Sequence, residues 1–312
     1  MTNSKGKVAG RLLATGLGFL GLIALDAGAE ARVLDPAQPE DALEIFKRAQ
    51  CGVRDGEPAV FYWTGRAYGR RAGEPDKLLF NLEGMNIRQC VPVTDPQRGA
   101  GFRLVSREIM LYVDPATGQV LHQWTNPYTG KENTVLHVAN DPVNQRPMFA
   151  RDAEGKTMKS NVRVIGNTAW MALEAPLFYS NPLAGDYQDY VGNKYHAMEI
   201  FDFSVHADTL LDTRNKQVDT SVAWVRLSQW MPWMKMEGRD GMMVFNAVGT
   251  KLGRYEDLPQ VLRQEIQANY PAYVAPPPGD DARPNETTWT VTRRWIDEQR
   301  ESGKAPAEQP RH

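Results

Sequence analysis

The sequence is poor in the residues that build metal and redox centres, and it lacks a strong net charge. It contains two cysteines in 312 residues, and its formal charge at pH 7 is -2. Two cysteines cannot supply the four ligands of a structural zinc site, and a charge so near zero gives no electrostatic reason to expect nucleic acid as a partner. No Rossmann glycine pattern, P-loop or internal repeat is present. We therefore expect a small-molecule ligand or substrate, with no metal and no organic cofactor.

Long apolar runs are also missing. The longest is residues 12–25, a run of 14 residues, whereas a membrane-spanning helix needs about 20. Positive residues precede this run, and Ala29 and Ala31 follow it in a small-x-small pattern. This layout predicts a secretory signal peptide over residues 1–31; an uncleaved anchor is the alternative. The mature chain would then begin near Arg32, lie in a bacterial periplasm or outside the cell, and have no stable membrane span. Its oligomeric state is left open.

The two cysteines, Cys51 and Cys90, both follow the predicted cleavage site. In an oxidising compartment they can form one disulfide, which would tie the end of the first helix to an early strand. The alternative is two free thiols. A catalytic thiol is disfavoured because the sequence implies no histidine nearby.

The remaining sequence predicts a mainly β fold. Segments with strand character follow one another from about residue 58 to 252, and helices are predicted only at the ends. We expect an antiparallel meander that closes into a barrel or a strongly curved sheet, calycin-like, with peripheral N- and C-terminal helices. Residues 32–278 would form a single β-rich domain. Residues 279–312 would form a proline-rich connector, a terminal helix and a tail that is disordered after Gly303.

The stretch HQWTNPYTGKENTVLH, residues 122–137, begins and ends with histidine. If its turn centres on Thr129 and Gly130, His122 lies opposite His137, with Cβ atoms about 5 Å apart. Such a pair could share a proton, hold a metal or contact a substrate oxygen. Two histidines with ordinary hydrogen bonds are the alternative, and a slip of one residue in the pairing would separate them.

A second candidate lies in residues 196–208. Asp202, Ser204 and His206 alternate along one face of a predicted strand. The opposite face, which includes Glu199, has the character of core. The polar face is either solvated or, in a barrel, directed inward. No nucleophile elbow accompanies it, so it does not predict a serine hydrolase.

Residues 224–241 are the richest in aromatic side chains. Trp230 and Trp233 either pack as core or line a cleft for an aromatic ligand, while Arg239 lies on a predicted turn. Arg226 next to tryptophan suits a planar or anionic ligand. If Arg226 is buried it needs a carboxylate, and Asp202 or Glu199 on the preceding strand could supply one.

Two of these segments carry a family resemblance. Trp124 with the turn Asn126-Pro127-Tyr128-Thr129-Gly130, and the stretch Trp230-Met231-Pro232-Trp233-Met234, resemble motifs of a bacterial and fungal family of unknown function. The resemblance covers most of the mature chain. It implies a link to the breakdown of aromatic compounds, and it assigns no catalytic residue.

We therefore expect a cofactor-independent enzyme, a lyase or isomerase, that acts on a small aromatic or apolar molecule. His137 and His206 would transfer protons, Asp202 would orient them, and His122 is a further candidate. The residues expected to contact substrate are Arg226 and Arg239, which would hold an anionic group, and Trp230, Trp233, Trp124 and Tyr195. A non-catalytic periplasmic binding or carrier protein with the same cavity is the alternative. A structural envelope protein without a ligand is the third possibility.

Overall fold

The computed structural model describes residues 31–185, 192–236 and 238–303. The predicted signal peptide, apart from its last residue, lies outside the described residues, and so does the tail after Gly303. Residues from Arg32 onward form one compact unit. None of the helices in the described ranges has the length and apolar character needed to span a bilayer.

The protein is mainly β, as predicted, and one antiparallel sheet of ten strands dominates it. Within the described ranges, four α-helices accompany the strands: α1 (Pro39–Gln50), α2 (Ala207–Leu211), α3 (Gln260–Asn269) and α4 (Thr288–Glu301). The strands are β1 (Ala59–Arg70), β2 (Lys77–Asp95), β3 (Gly99–Val113), β4 (Gln123–Thr125), β5 (Glu132–Thr134), β6 (Val138–Asn140), β7 (Met148–Phe149), β8 (Arg163–Ile165), β9 (Thr168–Ser180), β10 (Lys194–His206), β11 (Thr220–Ser228) and β12 (Met242–Leu252).

The strand order is β6-β3-β2-β1-β12-β11-β10-β9-β8, and β7 also pairs with β3. The first long strand, β1, therefore pairs with the last, β12, in the middle of the sheet. β4 and β5 form a separate two-stranded hairpin. The meander expected here is only partly regular: Val120 forms an antiparallel bridge with Val113 at the end of β3, whereas β4 and β5 pair with each other and β6 then pairs with β3.

One face of the sheet, here called the inner face, includes Tyr112 on β3, Phe245 on β12 and Arg226 on β11. On this face the rings of Phe61 (β1) and Phe203 (β10) lie 6.4 Å apart. Three strand spacings, about 14 Å, separate β1 from β10 in a flat sheet. The sheet therefore curves toward its inner face. Among the described residues no strand pairing closes it, so the expected barrel is not confirmed.

Two helices bridge the halves of the curved sheet. α1 packs Leu43 against β3 residues and Ile45 against residues of β9 and β10. The buried side of α1, which includes Ala42, Ile45 and Ala49, fills one end of the inner face. α4 contacts β6 at one edge, and its Trp289 packs on Tyr195 of β10 with ring centroids 4.8 Å apart. The capping box of Thr287 and Thr290 starts α4 at this point.

The opposite face of β1–β3 is covered by α3. Leu262 and Ile266 of α3 are fully buried against Ile109 and Leu111 of β3. The β9–β12 part of this outer face remains exposed, as Val248 at 62% shows. The charged residues of the inner face therefore lie within the curve of the sheet, and α3 packs outside it.

The two cysteines form a disulfide, with Cα atoms 5.9 Å apart. Cys51 directly follows α1 and Cys90 lies on β2, so the bond fixes the end of α1 to the sheet. The Lys251 ammonium strengthens the same junction by donating to the carbonyl oxygens of Arg48 (2.8 Å) and Cys51 (3.0 Å). Burial lowers the pKa of Lys251 to about 7, so at neutral pH its amino group supports the helix end mainly through these hydrogen bonds to carbonyl oxygens.

Candidate active site

An ion pair lies on the inner face where β10 and β11 pair. Arg226 and Glu199 are cross-strand neighbours, and Arg226 Nη1 is 3.2 Å from Glu199 Oε1. Arg226 Nη2 also donates to the hydroxyl of Tyr195. Burial lowers the pKa of Arg226, but Tyr195 and Glu199 raise it, and the net shift is upward. The predicted need of Arg226 for a carboxylate is confirmed, with Glu199 as the partner.

A second carboxylate, Glu108, lies across the inner face on β3. It accepts a hydrogen bond from Asn140 Nδ2 at 2.6 Å. Burial raises the pKa of Glu108, and the charge of Glu199 raises it further, against the opposing effects of Asn140, Arg226 and Arg88. The mutual effect of Glu108 and Glu199 reflects the curvature, because β3 and β10 are five spacings apart in the sheet, about 24 Å if it were flat.

Arg88 lies on β2 between this carboxylate and α1. Its guanidinium donates to Asn86 Oδ1 (2.7 Å) and Gln50 Oε1 (2.8 Å), and it lies 4.5 Å from the ring centroid of Phe61. Burial lowers the pKa of Arg88 to about 10, while Glu108 raises it. Arg88 is therefore cationic at neutral pH. Together with Arg226 it balances the two carboxylates.

Aromatic rings line the inner face beside the ion pair. Trp224 lies 6.3 Å from Phe201 at an interplanar angle of 27° and 5.8 Å from Phe245. Phe201 and Phe203 are nearly parallel, at 6.2 Å and 7°. Leu173, on the inner side of β9, is 48% exposed. The inner face thus combines a flat apolar wall with charges, and it reaches solvent at β9.

The two hairpin histidines come together, but by a different pairing from the one predicted. Trp124 pairs with Asn133, and the His122 carbonyl accepts from the Val135 N–H, so the predicted position of His122 opposite His137 is wrong by two residues. Because the shift is even, the two rings still meet, with centroids 6.0 Å apart. Ligand atoms of His122, His137 and Glu265 lie within 4.8 Å of one another.

The hydrogen bond at His137 decides what this group can do. His137 Nδ1 accepts from the Tyr112 backbone N–H at 3.1 Å, so the neutral ring carries its proton on Nε2. Burial, and to a lesser degree His122, lowers the pKa of His137 to about 4. In this tautomer Nε2 has no lone pair to bind a metal or accept a proton. His137 is therefore a neutral donor near neutral pH, and neither a metal ligand nor a base.

The second predicted constellation lies away from the inner face. Asp202 and His206 are exposed and alternate with Phe201 and Phe203, which face inward. Asp202 pairs with Ala172 and Ala223 on the outer face of the sheet. The structure therefore brings neither residue to the ion pair or to His137. The charged residue of β10 that lies within the inner face is Glu199, on the face of the strand that the sequence predicted to be core.

The predicted tryptophan-rich stretch, residues 230–236, packs over the end of the inner face opposite α1. We call these residues the cover. Trp230 and Trp233 are 8% and 1% exposed and belong to the main apolar cluster. Trp233 packs on Trp124 at 5.7 Å, and Asn126 Nδ2 donates to the Met234 carbonyl at 2.9 Å. The two family motifs are thus halves of one packed unit. Arg239 follows this unit on an exposed turn and does not reach the ion pair.

Sequence reasoning missed Glu108 and Arg88. A signal for Glu108 was present, because it alternates with Met110 and Tyr112, which are buried residues of the inner face. Arg88 likewise alternates with Asn86 on β2. Both were overlooked because a charged residue in a strand usually marks the solvent side.

The family comparison confirms the predicted membership in a family of unknown function. The chain belongs to DUF1838, a family described as proteins of unknown function, whose model matches residues 56–296. This range contains all the inner-face residues described above except those of α1. No curated protein matches the chain.

Proposed function

We propose that this protein is a cofactor-independent acid–base enzyme, a lyase or isomerase, that acts on a small aromatic molecule at the inner face of the curved sheet. The observation that carries the proposal is Glu108, whose pKa is raised by burial beside the fixed pair of Arg226 and Glu199. Carboxylates with unlike surroundings can take different acid–base roles. Glu108 would transfer the proton, and Arg226 would position the substrate.

The histidines and Asp202 have no catalytic role in this proposal. His137 lacks a free lone pair in the tautomer that its hydrogen bond from the Tyr112 N–H implies, and His206 and Asp202 are exposed on the other side of β10. Trp230, Trp233 and Trp124 would support the site by packing as its cover. The stacking wall would be Trp224 and the phenylalanines beside it, within a calycin-like enclosure that α1 and α4 complete.

We also place the mature enzyme in the periplasm or outside the cell. The Cys51–Cys90 disulfide supports this placement, because disulfides persist in oxidising compartments. The proposed signal peptide over residues 1–31 would direct the chain there.

The test is turnover of aromatic monomers and dimers by purified protein, followed by liquid chromatography and mass spectrometry. Glu108→Gln should lower the rate at least about 100-fold, the usual effect of removing a general acid or base. Asp202→Asn is the matched control, since it neutralises an exposed carboxylate, and it should keep the wild-type rate. A Glu108→Gln enzyme that works at the wild-type rate contradicts the assignment.

The same panel separates the enzyme from a carrier. A carrier would bind a compound in the inner face without converting it, and Glu108→Gln would change only affinity. Binding without product over hours would therefore replace the enzymatic proposal with the carrier function.

A further inference from the structure

Several polar atoms of the inner face are buried but have no hydrogen-bond partner within the described part of the chain. They are the indole Nε1 atoms of Trp63 and Trp224, the Tyr112 hydroxyl, Arg226 Nε and Asn140 Oδ1. Tyr112 is fully buried and Asn140 is 4% exposed. Leaving a buried donor or acceptor unpaired costs about 1–3 kcal/mol, so five such atoms on one face require an explanation.

These atoms share the inner face with the ion pair. Trp224 and Arg226 alternate along β11 toward this face, opposite Ala247 and Phe245. Tyr112 lies close enough to Arg226 for the arginine charge to act on its hydroxyl. Burial raises the pKa of Tyr112, whereas this charge lowers it. Asn140 donates to Glu108 through Nδ2, which leaves Oδ1 as a free acceptor.

The position of Trp63 depends on a glycine. A Cβ on Gly84 of β2 would come within 2.3–2.4 Å of the Trp63 indole, including its Nε1. The indole therefore lies flat over β2, across a position where any side chain would displace it. This arrangement keeps its N–H on the inner face, between β1 and β3.

Four of the five unpartnered atoms are donors, which indicates an acceptor-rich ligand. An indole N–H can only donate, and a guanidinium has no acceptor atom. Donors of this kind form their strongest hydrogen bonds with an anionic oxygen. The aromatic side chains beside them, Trp224 and Phe201 among them, suit a flat ring. A ring stacked there would direct its anionic group toward Arg226 and Tyr112.

We infer that the ligand of the inner face is an aromatic carboxylate, whose carboxylate oxygens accept hydrogen bonds from Arg226 Nε, the Tyr112 hydroxyl and the indole N–H of Trp224. This inference rests on the proposed function, since it names the substrate class of the same site. The Trp63 indole contributes a further donor, and Asn140 Oδ1 accepts from a hydroxyl where the ring carries one.

The test compares each of three acids with its neutral alcohol: benzoate with benzyl alcohol, cinnamate with cinnamyl alcohol, and 2-naphthoate with 2-naphthylmethanol. Binding to purified protein is measured by isothermal titration calorimetry at pH 7.5. The wild type should bind at least one acid ten or more times more tightly than its alcohol. Tyr112→Phe and Trp224→Phe, which remove a donor but keep a ring, should each weaken that acid about tenfold and change the alcohol less than twofold.

Trp170→Phe is the matched control, because Trp170 lies on the outer side of β9 and is 46% exposed. It should leave all affinities unchanged, and thermal unfolding of each variant checks that it is folded. Equal affinity for acids and alcohols would overturn the carboxylate inference and leave a small-aromatic site in place. Failure of all six probes to bind would overturn the inference and the proposed aromatic site together.

Discussion

Glu199 and Glu108 are carboxylates on the same face of one sheet, yet their neighbours differ. Glu199 has the guanidinium of Arg226 at 3.2 Å, whereas Glu108 has the neutral amide of Asn140 at 2.6 Å. Burial raises the pKa of Glu108 and so favours its protonated form. The roles proposed for the two residues follow from this difference.

The pair of Arg226 and Glu199 predicts an asymmetric mutational response. Glu199→Gln should lower the free energy of unfolding by about 2–3 kcal/mol, because it leaves a largely buried guanidinium without its counter-charge. The double variant Arg226→Met/Glu199→Leu should lose less than the single variant, since neither charge remains. Urea unfolding of the four proteins measures both effects, and a double variant less stable than Glu199→Gln would contradict this account of the pair.

His137 predicts a loss of stability in mild acid. Its pKa is about 4 in the folded protein and about 6.5 in an unfolded chain. Between these values the unfolded chain binds the proton first, so the stabilisation is complete above pH 6.5 and is lost as the pH falls toward 4. The loss at pH 4.5 should be about 2–3 kcal/mol.

The measurement is urea unfolding at pH 7.5 and 4.5 for three proteins. His137→Asn should remove this part of the pH dependence, because an amide can accept from the Tyr112 N–H without titrating. His206→Asn, at an exposed histidine, should keep the wild-type dependence. If His137→Asn and the wild type lose equal stability at pH 4.5, the buried imidazole is not its source.

At the scale of elements, the sequence indicated where most strands run but not how they meet. Alternation is local, so the long strands β1, β3, β10 and β12 were visible in it. The hairpin pairing was misplaced because the turn starts early: Asn126 Oδ1 accepts from the Tyr128 N–H, and Gly130, with φ at 69°, ends the turn instead of centring it. Which face of β10 lies inside depends on β1 pairing with β12, a contact between distant segments that no local pattern reveals.

In the candidate site, too, local sequence patterns were informative and contacts between distant strands were not. Arg226 and its need for a carboxylate were predictable, because arginine in an apolar strand requires a counter-charge. Glu108 was not found because its partners lie on other strands, Asn140 on β6 and Arg88 on β2. Only the curvature of the sheet brings these residues together.

Asn126 joins two elements, and its loss should affect both. It is fully buried, and its side chain bonds the hairpin turn through Oδ1 and the Met234 carbonyl through Nδ2. Asn126→Ala should lower the free energy of unfolding by about 1–2 kcal/mol, because the part-buried Tyr128 N–H loses its acceptor and the Met234 carbonyl keeps only the longer hydrogen bond from Asn133. Near-ultraviolet circular dichroism should also weaken as the Trp124–Trp233 contact loosens.

Asn246→Ala, at an exposed position of β12, is the control and should change stability by less than about 0.5 kcal/mol. An Asn126→Ala protein as stable as this control would show that the hydrogen bonds of Asn126 contribute nothing to holding the cover in place.

For the whole molecule, closure of the inner face depends on helices, since no described strand pairing completes it. α4 bridges β6 and β10, and α1 fills the opposite end, next to Arg88. The attachment of α1 is covalent at Cys51 and polar at Lys251. Stability and the integrity of the candidate site are thus coupled through α1, whose Gln50 also binds Arg88.

This coupling predicts the effect of removing the disulfide. Cys51 and Cys90 are separated by 39 residues, and a crosslink over a loop of this length stabilises by about 4 kcal/mol in the chain-entropy model. Cys51→Ser/Cys90→Ser should therefore unfold at lower guanidinium concentration, and a reductant should shift the wild type toward it without affecting the variant. Hydrogen exchange should accelerate in α1, which loses its anchor, and stay unchanged in α3, which packs on the outer face. Equal acceleration in both helices would show that the disulfide stabilises the molecule as a whole and gives no particular support to the end of the inner face that α1 covers.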